Sequence, residues 1–445
     1  MAYRQWCGIL MLLICQAKIV FSQDAPTVVV KPTPEKEIIL AVPDLTLLNP
    51  EQTENVDALK IMNQVLWEDL KFAGYFTLAA KGFYPPQAMR SSEGVDYDAW
   101  NNLSFKINYL STGTVKIIGK SVIVKFQLYD LRTRSYGFGS EISSDINSVR
   151  SIAHRWADDL VYNFTAGGSR GIASTKIAYE SQHGAAKEVS IMDYDGYNPR
   201  DFTSNRALNK YPAWSSDSTK IAFQSDRQRP WEIYIYSLID GTKRPFPTFS
   251  STATTPSFSP DGTRIAFALT TPRGDMDIFV SKLDGSDRMD ITNNPAVDTS
   301  PTWAPSGRQI AFASKRDDSV QIYVCDADGT NVRRLVNEGG EADSPSWSPD
   351  GKWVVFEWKP RKTAQFDIYI AEVGSGQIRQ LTSSAGNNTN PSWAPDGRHI
   401  VFASDRTGTS QIYIMQLSAD PSDVRMITTG GNHYNPAWGP FVGKE

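Results

Sequence analysis

The stretch "PSWSPDGKWVVF", residues 345–356, decides the fold. Ser-Pro-Asp-Gly puts Pro at the second position of a tight turn, where its fixed φ fits, and Gly at the fourth. The letters before it end one strand and the apolar run after it begins another. Nearly the same phrase recurs as Pro212-Ala-Trp-Ser-Ser-Asp, Pro256-Ser-Phe-Ser-Pro-Asp-Gly, Pro301-Thr-Trp-Ala-Pro-Ser-Gly, Pro391-Ser-Trp-Ala-Pro-Asp-Gly and Pro436-Ala-Trp-Gly-Pro. The six prolines stand 44 to 46 residues apart. A period that steady, made of short strands, belongs to propeller blades rather than helical solenoids.

Each unit divides into four strands. The second strands are expected at 176–180, 220–224, 264–268, 309–313, 353–357 and 399–403. Third strands follow as "EIYIYSL", "DIFVSKL", "QIYVCDA", "DIYIAEV" and "QIYIMQL". Asp195-Gly196, Asp240-Gly241, Asp284-Gly285 and Asp328-Gly329 then supply hairpin turns into a polar outer strand. First and second strands are out of step: 176–180 lacks a "PxW" before it, and Pro436–Trp438 lacks a partner after it. The end of the chain is therefore expected to complete the first blade of a six-bladed ring, which removes the open sheet edge that invites aggregation.

Composition is that of a soluble protein: 445 residues, 40% hydrophobic, 21% charged, formal charge -4. The absence of any block of Lys and Arg argues against nucleic acid as a partner. Residues 1–22 read as a secretory signal peptide, with Arg4 ahead of an apolar run from Gly8 to Cys15. Its removal takes away Cys7 and Cys15 and leaves Cys325 alone, so no internal disulfide is expected. No later run reaches the roughly 18 apolar residues of a membrane span.

The region 37–168 lacks the repeat and reads as an α/β domain. Residues 37–45 suggest a buried strand, 53–74 an amphipathic helix, 121–130 a half-buried strand, and 147–165 a second helix. The proline-bearing stretch 23–36 lies in front, and the propeller is expected over 172–440.

Motifs of catalysis are present only as strings. Gly167-Gly168-Ser169-Arg170-Gly171 matches the G-x-S-x-G elbow, but an elbow joins a strand to a helix, whereas this one leaves a helix and enters a strand. "DYDG" (193–196) and "DADG" (326–329) look like the start of a calcium loop without its remaining ligands. Hairpin turns account for them, and neither a metal nor a cofactor is expected. The recurring Trp214, Trp303, Trp347, Trp393 and Trp438 read as blade-packing residues, and Cys325 as a core side chain. The loops ahead of each "PxW" should gather on one face of the ring, a natural binding surface.

Taken together, "RGIASTKIAYES" at the domain junction, "DYDGYNPR" (193–200) and the repeated "PSWSPDG" resemble the TolB family, periplasmic components of the Tol-Pal system of Gram-negative bacteria. The resemblance implies a binding protein without catalysis, expected to be a monomer. Through the propeller loop face it would engage the peptidoglycan-associated lipoprotein Pal, with Thr252, Thr299, Asp343, Asn390, His433 and Tyr434 as contact residues. Through residues 23–36, with Val28, Val29 and Val30, it would engage TolA and so couple envelope constriction to cell division. Two other classes stay open: an exported glycan-binding propeller, and a non-catalytic propeller related to prolyl-oligopeptidase-like hydrolases.

Overall fold

The computed structural model describes residues 38–49, 53–85, 94–228, 230–248, 251–361, 363–383, 386–417 and 424–441. The front domain runs β1 (Ile39–Ala41), β2 (Thr46–Leu47), α1 (Thr53–Ala73), β3 (Thr77–Leu78), α2 (Tyr97–Asn101), β4 (Tyr109–Ile118), β5 (Ser121–Asp130), β6 (Ser135–Asp145) and α3 (Val149–Phe164). Its sheet has the order β3-β1-β4-β5-β6, with β2 also paired to β4. Of the single strand expected over 37–45 the structure keeps only β1, which stops ahead of Pro43, a residue with no N–H to give a ladder, and β2 begins past the expected end.

Helices α1 and α3 bury one face against this sheet. Met62, Leu66 and Leu70 from α1 meet Trp156 and Leu160 from α3 over Val122, Val124 and Phe126, and Trp156 stacks on Phe126 at 4.9 Å. On the opposite face Trp100 of α2 packs with Tyr84, Leu110 and Leu131.

Behind it stand six four-stranded blades. Blade 5 shows how the opening phrase works. The Gly351 N–H bonds the Ser348 carbonyl at 2.9 Å, and the Ser348 hydroxyl reaches Asp350 while accepting the Trp353 N–H. Gly351 has φ +73, and a Cβ there would lie 3.3 Å from Pro305 of blade 4. Trp347 leaves its own sheet to pack with Ala304, Ala311 and Val324 of blade 4. Such contacts recur between blades 2 and 3, 3 and 4, and 5 and 6.

The closure is the one the period demands. Strand His433–Trp438 pairs antiparallel with Lys176–His183, Tyr434 opposite Glu180 and Trp438 opposite Ile177. Blade 1 therefore joins strands more than 230 residues apart in sequence.

The two domains share a continuous apolar core that runs from Met62, Leu70 and Trp156 through Ile172 and Ile177 to Val401 and Ile427. Polar contacts lock it. Tyr194 Oη donates to Asp69 Oδ1 at 2.6 Å, Arg398 Nη2 to the Gly74 carbonyl at 2.8 Å, and His399 Nε2 to the Phe72 carbonyl at 2.8 Å. All of these propeller residues belong to blades 1 and 6, at the end carrying the Ser-Pro-Asp-Gly and Asp-Gly turns.

Candidate functional site

The channel is built by the first strands. In every blade the ladder to the second strand shifts register at the proline: between Lys210 and Ala213, Thr254 and Ser257, Thr299 and Thr302, Asp343 and Ser346, Thr389 and Ser392, Tyr434 and Ala437. The skipped residue before each proline takes a positive φ: Tyr211 +53, Thr255 +45, Ser300 +54, Ser344 +54, Asn390 +51 and Asn435 +46. Such a conformation costs a residue with a Cβ about 1–2 kcal/mol, and its repetition six times marks it as a design of the ring. These six residues and their prolines line a waist of about 150 Å³. Toward the turn end the channel widens to about 380 Å³ between the Pro-x-Trp segments.

Side chains from within satisfy the bulged N–H groups. Tyr211 N–H donates to Glu180 Oε1 at 2.9 Å, Ser300 N–H to Thr255 Oγ1 at 3.1 Å, and Asn390 N–H to Glu357 Oε2 at 2.7 Å. Asp343 accepts the Ser344 N–H and the Ser300 hydroxyl, and Asn390 Nδ2 reaches Ser344 Oγ at 3.0 Å. Asn435 Nδ2 also donates to Glu180. Three carboxyl groups thus serve one narrow channel.

Their electrostatics differ with their neighbours. Lys187 Nζ pairs with Glu180 at 2.9 Å and lies 3.8 Å from the Tyr434 ring centre. Among the described residues no cation pairs with Glu357: burial first, and the adjacent Asp343 second, push it up to about 8. Burial likewise raises Asp343. Both residues are half-buried. Tyr211 is pushed up to about 12 by burial and then by Glu180, Asp343 and Glu357.

The six residues carried over from the family resemblance fall at four levels of the inner strands. Thr252 is outermost, its carbonyl accepting the Thr270 N–H at 2.9 Å. His433 begins its strand and is buried, its Nε2 donating to the Gly430 carbonyl at 2.7 Å and its ring edge-on to Tyr179. Thr299, Asp343 and Tyr434 share the next level, opposite Ala313, Glu357 and Glu180. Asn390 stands at the channel waist. The structure brings Asp343 and Asn390 together through Ser344 and Glu357. Val28, Val29 and Val30 lie outside the described residues, as do 1–22.

Glu180, Glu357 and Asn435 were not singled out by the sequence reading. A signal for the two acids existed: second strands read "IAYES", "IAFQS", "IAFAL", "IAFAS", "VVFEW" and "IVFAS", so a charge interrupts an apolar run in two blades of six. Ser169, the would-be nucleophile, is buried in the interdomain turn, where its hydroxyl accepts the Gly171 N–H at 3.2 Å. Cys325 is fully buried, and burial pushes its thiol up to about 12.

An α/β domain fused to a ring of six blades, closed by a returning strand and pierced by a polar channel, defines a class of propeller with an attached amino-terminal module. Residues 164–366 and 337–444 match the family model for the TolB beta propeller domain, and residues 26–135 match that for the TolB amino-terminal domain. The chain belongs to the TolB family. It is 30% identical over 210 residues to the Tol-Pal system protein TolB of Desulfosudis oleivorans, covering 47% of each chain. Over 179 residues it is 33% identical to that of Geobacter metallireducens, covering 38% of this chain and 40% of the relative. The matched region thus spans less than half the length of these curated relatives. The crystal structure of TolB from Acinetobacter baumannii superposes with a TM-score of 0.76 at 25% identity, over 92% of this chain and 98% of that one. A putative TolB from Agrobacterium tumefaciens shares the fold over 60% of this chain, with a TM-score of 0.50 at 22% identity.

Proposed function

We propose that this chain is the periplasmic propeller component of a Tol-Pal system, exported by residues 1–22, and that it binds Pal at the loop end of the propeller and TolA through residues 23–36. The observation that carries this reading is membership of the TolB family, whose curated relatives are named as Tol-Pal system proteins. The anchoring of the α/β domain supports the choice of face, because these described contacts fall at the turn end, away from the loop end that carries Thr299 and Tyr434. In this reading the protein works by binding alone and supports outer-membrane invagination and integrity during division.

The test is a calorimetric titration of residues 23–445 with the soluble domain of Pal from the same organism. Saturable one-to-one binding is expected, weakened tenfold or more in Thr299→Arg without a change in melting temperature. Absence of binding across several temperatures would remove Pal as the partner, and full affinity in Thr299→Arg would move the contact off the loop face.

A further inference from the structure

The "DYDG" turn of blade 1 does more than reverse the chain. We propose that His154, Asp193 and Asp195 form a binding site for a divalent transition metal of the zinc class, which staples α3 to the first blade.

The three residues offer ligand atoms that lie within 4.8 Å of one another. Ligands about 2.0–2.1 Å from a tetrahedral zinc stand roughly 3.4 Å apart, so small rotations of the side chains close the site. His154 supplies the independent observation. It is 4% exposed, and its Nε2 has no hydrogen-bond partner. Its other ring nitrogen is committed, since Nδ1 stands 2.7 Å from Asp69 Oδ2, and Asp69 is itself held by the Tyr194 hydroxyl. A carboxylate that accepts the hydrogen bond of Nδ1–H leaves the lone pair on Nε2, the arrangement that orients and strengthens a metal-binding imidazole. Two carboxylates and that lone pair, all electron-rich, thus offer ligand atoms to one point, and the lone pair has no donor of its own among the described residues.

The surrounding groups act as outer supports. Lys176 Nζ and Asn198 Nδ2 bind the two oxygens of Asp193, while Arg150 Nη2 and the Tyr197 N–H bind those of Asp195. A carboxylate has about four acceptor positions, so each oxygen keeps one for a metal. One imidazole with two carboxylates is a borderline-to-hard donor set that suits zinc and manganese and leaves a position for water. A cavity of about 270 Å³, lined by Asp69, Arg150, Tyr194, Asp195 and Arg425, adjoins the site at Asp195. A proton on Nε2 is the competing occupant.

The experiment titrates Zn2+ into the full chain after stripping with EDTA, following heat and, with Co2+, visible absorption. One equivalent should bind and raise the melting temperature by several degrees. Asp193→Asn and Asp195→Asn, which preserve size, should each lose tenfold or more in affinity. His183→Ala, which removes the exposed His183–Asp201 pair, should change nothing. No stoichiometric binding, or unchanged affinity in both Asn variants, overturns the site, and loss confined to His183→Ala reassigns the metal to the surface. Should the Asn variants fail to fold, the imidazole nitrogen resonances of the native chain decide. Addition of Zn2+ must shift His154 Nε2, and a signal already that of an imidazolium and unmoved by zinc rejects the proposal.

Discussion

Blades 3 and 5 have the same strand order, the same bulge and the same left-handed residue before the proline, yet they differ where the bulge begins. Blade 3 sets Thr254 opposite Ala268, and blade 5 sets Asp343 opposite Glu357. The shared features are backbone features, enforced by turn chemistry and by packing between neighbours, and they make the ring. The difference is chemical and touches only the channel. Repetition here supplies a scaffold, and departures from it place charge.

The largest test asks whether the blades are energetically equivalent. Removing residues 432–445 strips blade 1 of its inner strand and exposes the Lys176–His183 edge, and it deletes Trp438, whose Nε1 bonds Thr175 Oγ1 at 2.8 Å in the core. Calorimetry should show loss of the single cooperative transition, and an unchanged melt would mean that the blades are independent units. Next come the Asp-Gly turns. A Cβ at Gly329 would lie 2.4 Å from the Ile291 carbonyl oxygen of the preceding blade, whereas at Gly241 the nearest atom outside its neighbours is Tyr236 Oη at 3.5 Å. Both have positive φ, so Gly329→Ala should cost about 3 kcal/mol and Gly241→Ala about 1 kcal/mol in urea unfolding. Equal costs would show that the turn, and not the approach between blades, sets the requirement.

Third is the pH dependence of blade 5. A carboxyl held near 8 when folded and near about 4.3 when unfolded binds its proton more tightly in the native state. Its contribution is fully present below the unfolded value and is lost as pH rises through the folded one. Glu357→Gln should therefore leave stability at pH 4 unchanged and raise it increasingly between pH 5 and pH 8. Ala268→Glu should give blade 3 the same loss of stability with rising pH, and differences from the native chain that do not vary with pH in either variant would refute the assignment. Smallest is Ile239→Lys at a position 80% exposed, which should shift stability by less than about 0.5 kcal/mol.

The ring was legible because its signals are local. A Pro, a Trp and a Gly at fixed offsets every 44 to 46 residues are enough to count blades, and the mismatch of first and second strands reveals the closure. The front domain was half legible. Helices α1 and α3 and strand β5 have clean periodicity, but β4 carries Ser111, Thr112, Gly113 and Thr114, and β6 is a polar edge strand with Gly137 and Gly139, so neither shows a strong apolar alternation. The channel was least legible. That Tyr211 and Asn435 both serve Glu180 depends on strands brought together only by closure, and the environment of Glu357 depends on Asp343 across a bulge that no spacing announces. The pairing of Asp69 with Tyr194, 125 residues apart, is equally a product of tertiary packing.

The returning strand also orders events in time. Strand His433–Trp438 is made after every other strand of the ring, and its partner Lys176–His183 before any other second strand. Synthesis delivers the chain amino end first, so blade 1 waits, one strand short, until the final segment has emerged. The loop to be closed is about 250 residues, but closure entropy grows only logarithmically, and a loop ten times shorter would save just about 2 kcal/mol. The late strand therefore acts as a timer: the ring cannot shut while its carboxyl end is still in transit, and a truncated product is left with an open edge for quality-control proteases to find.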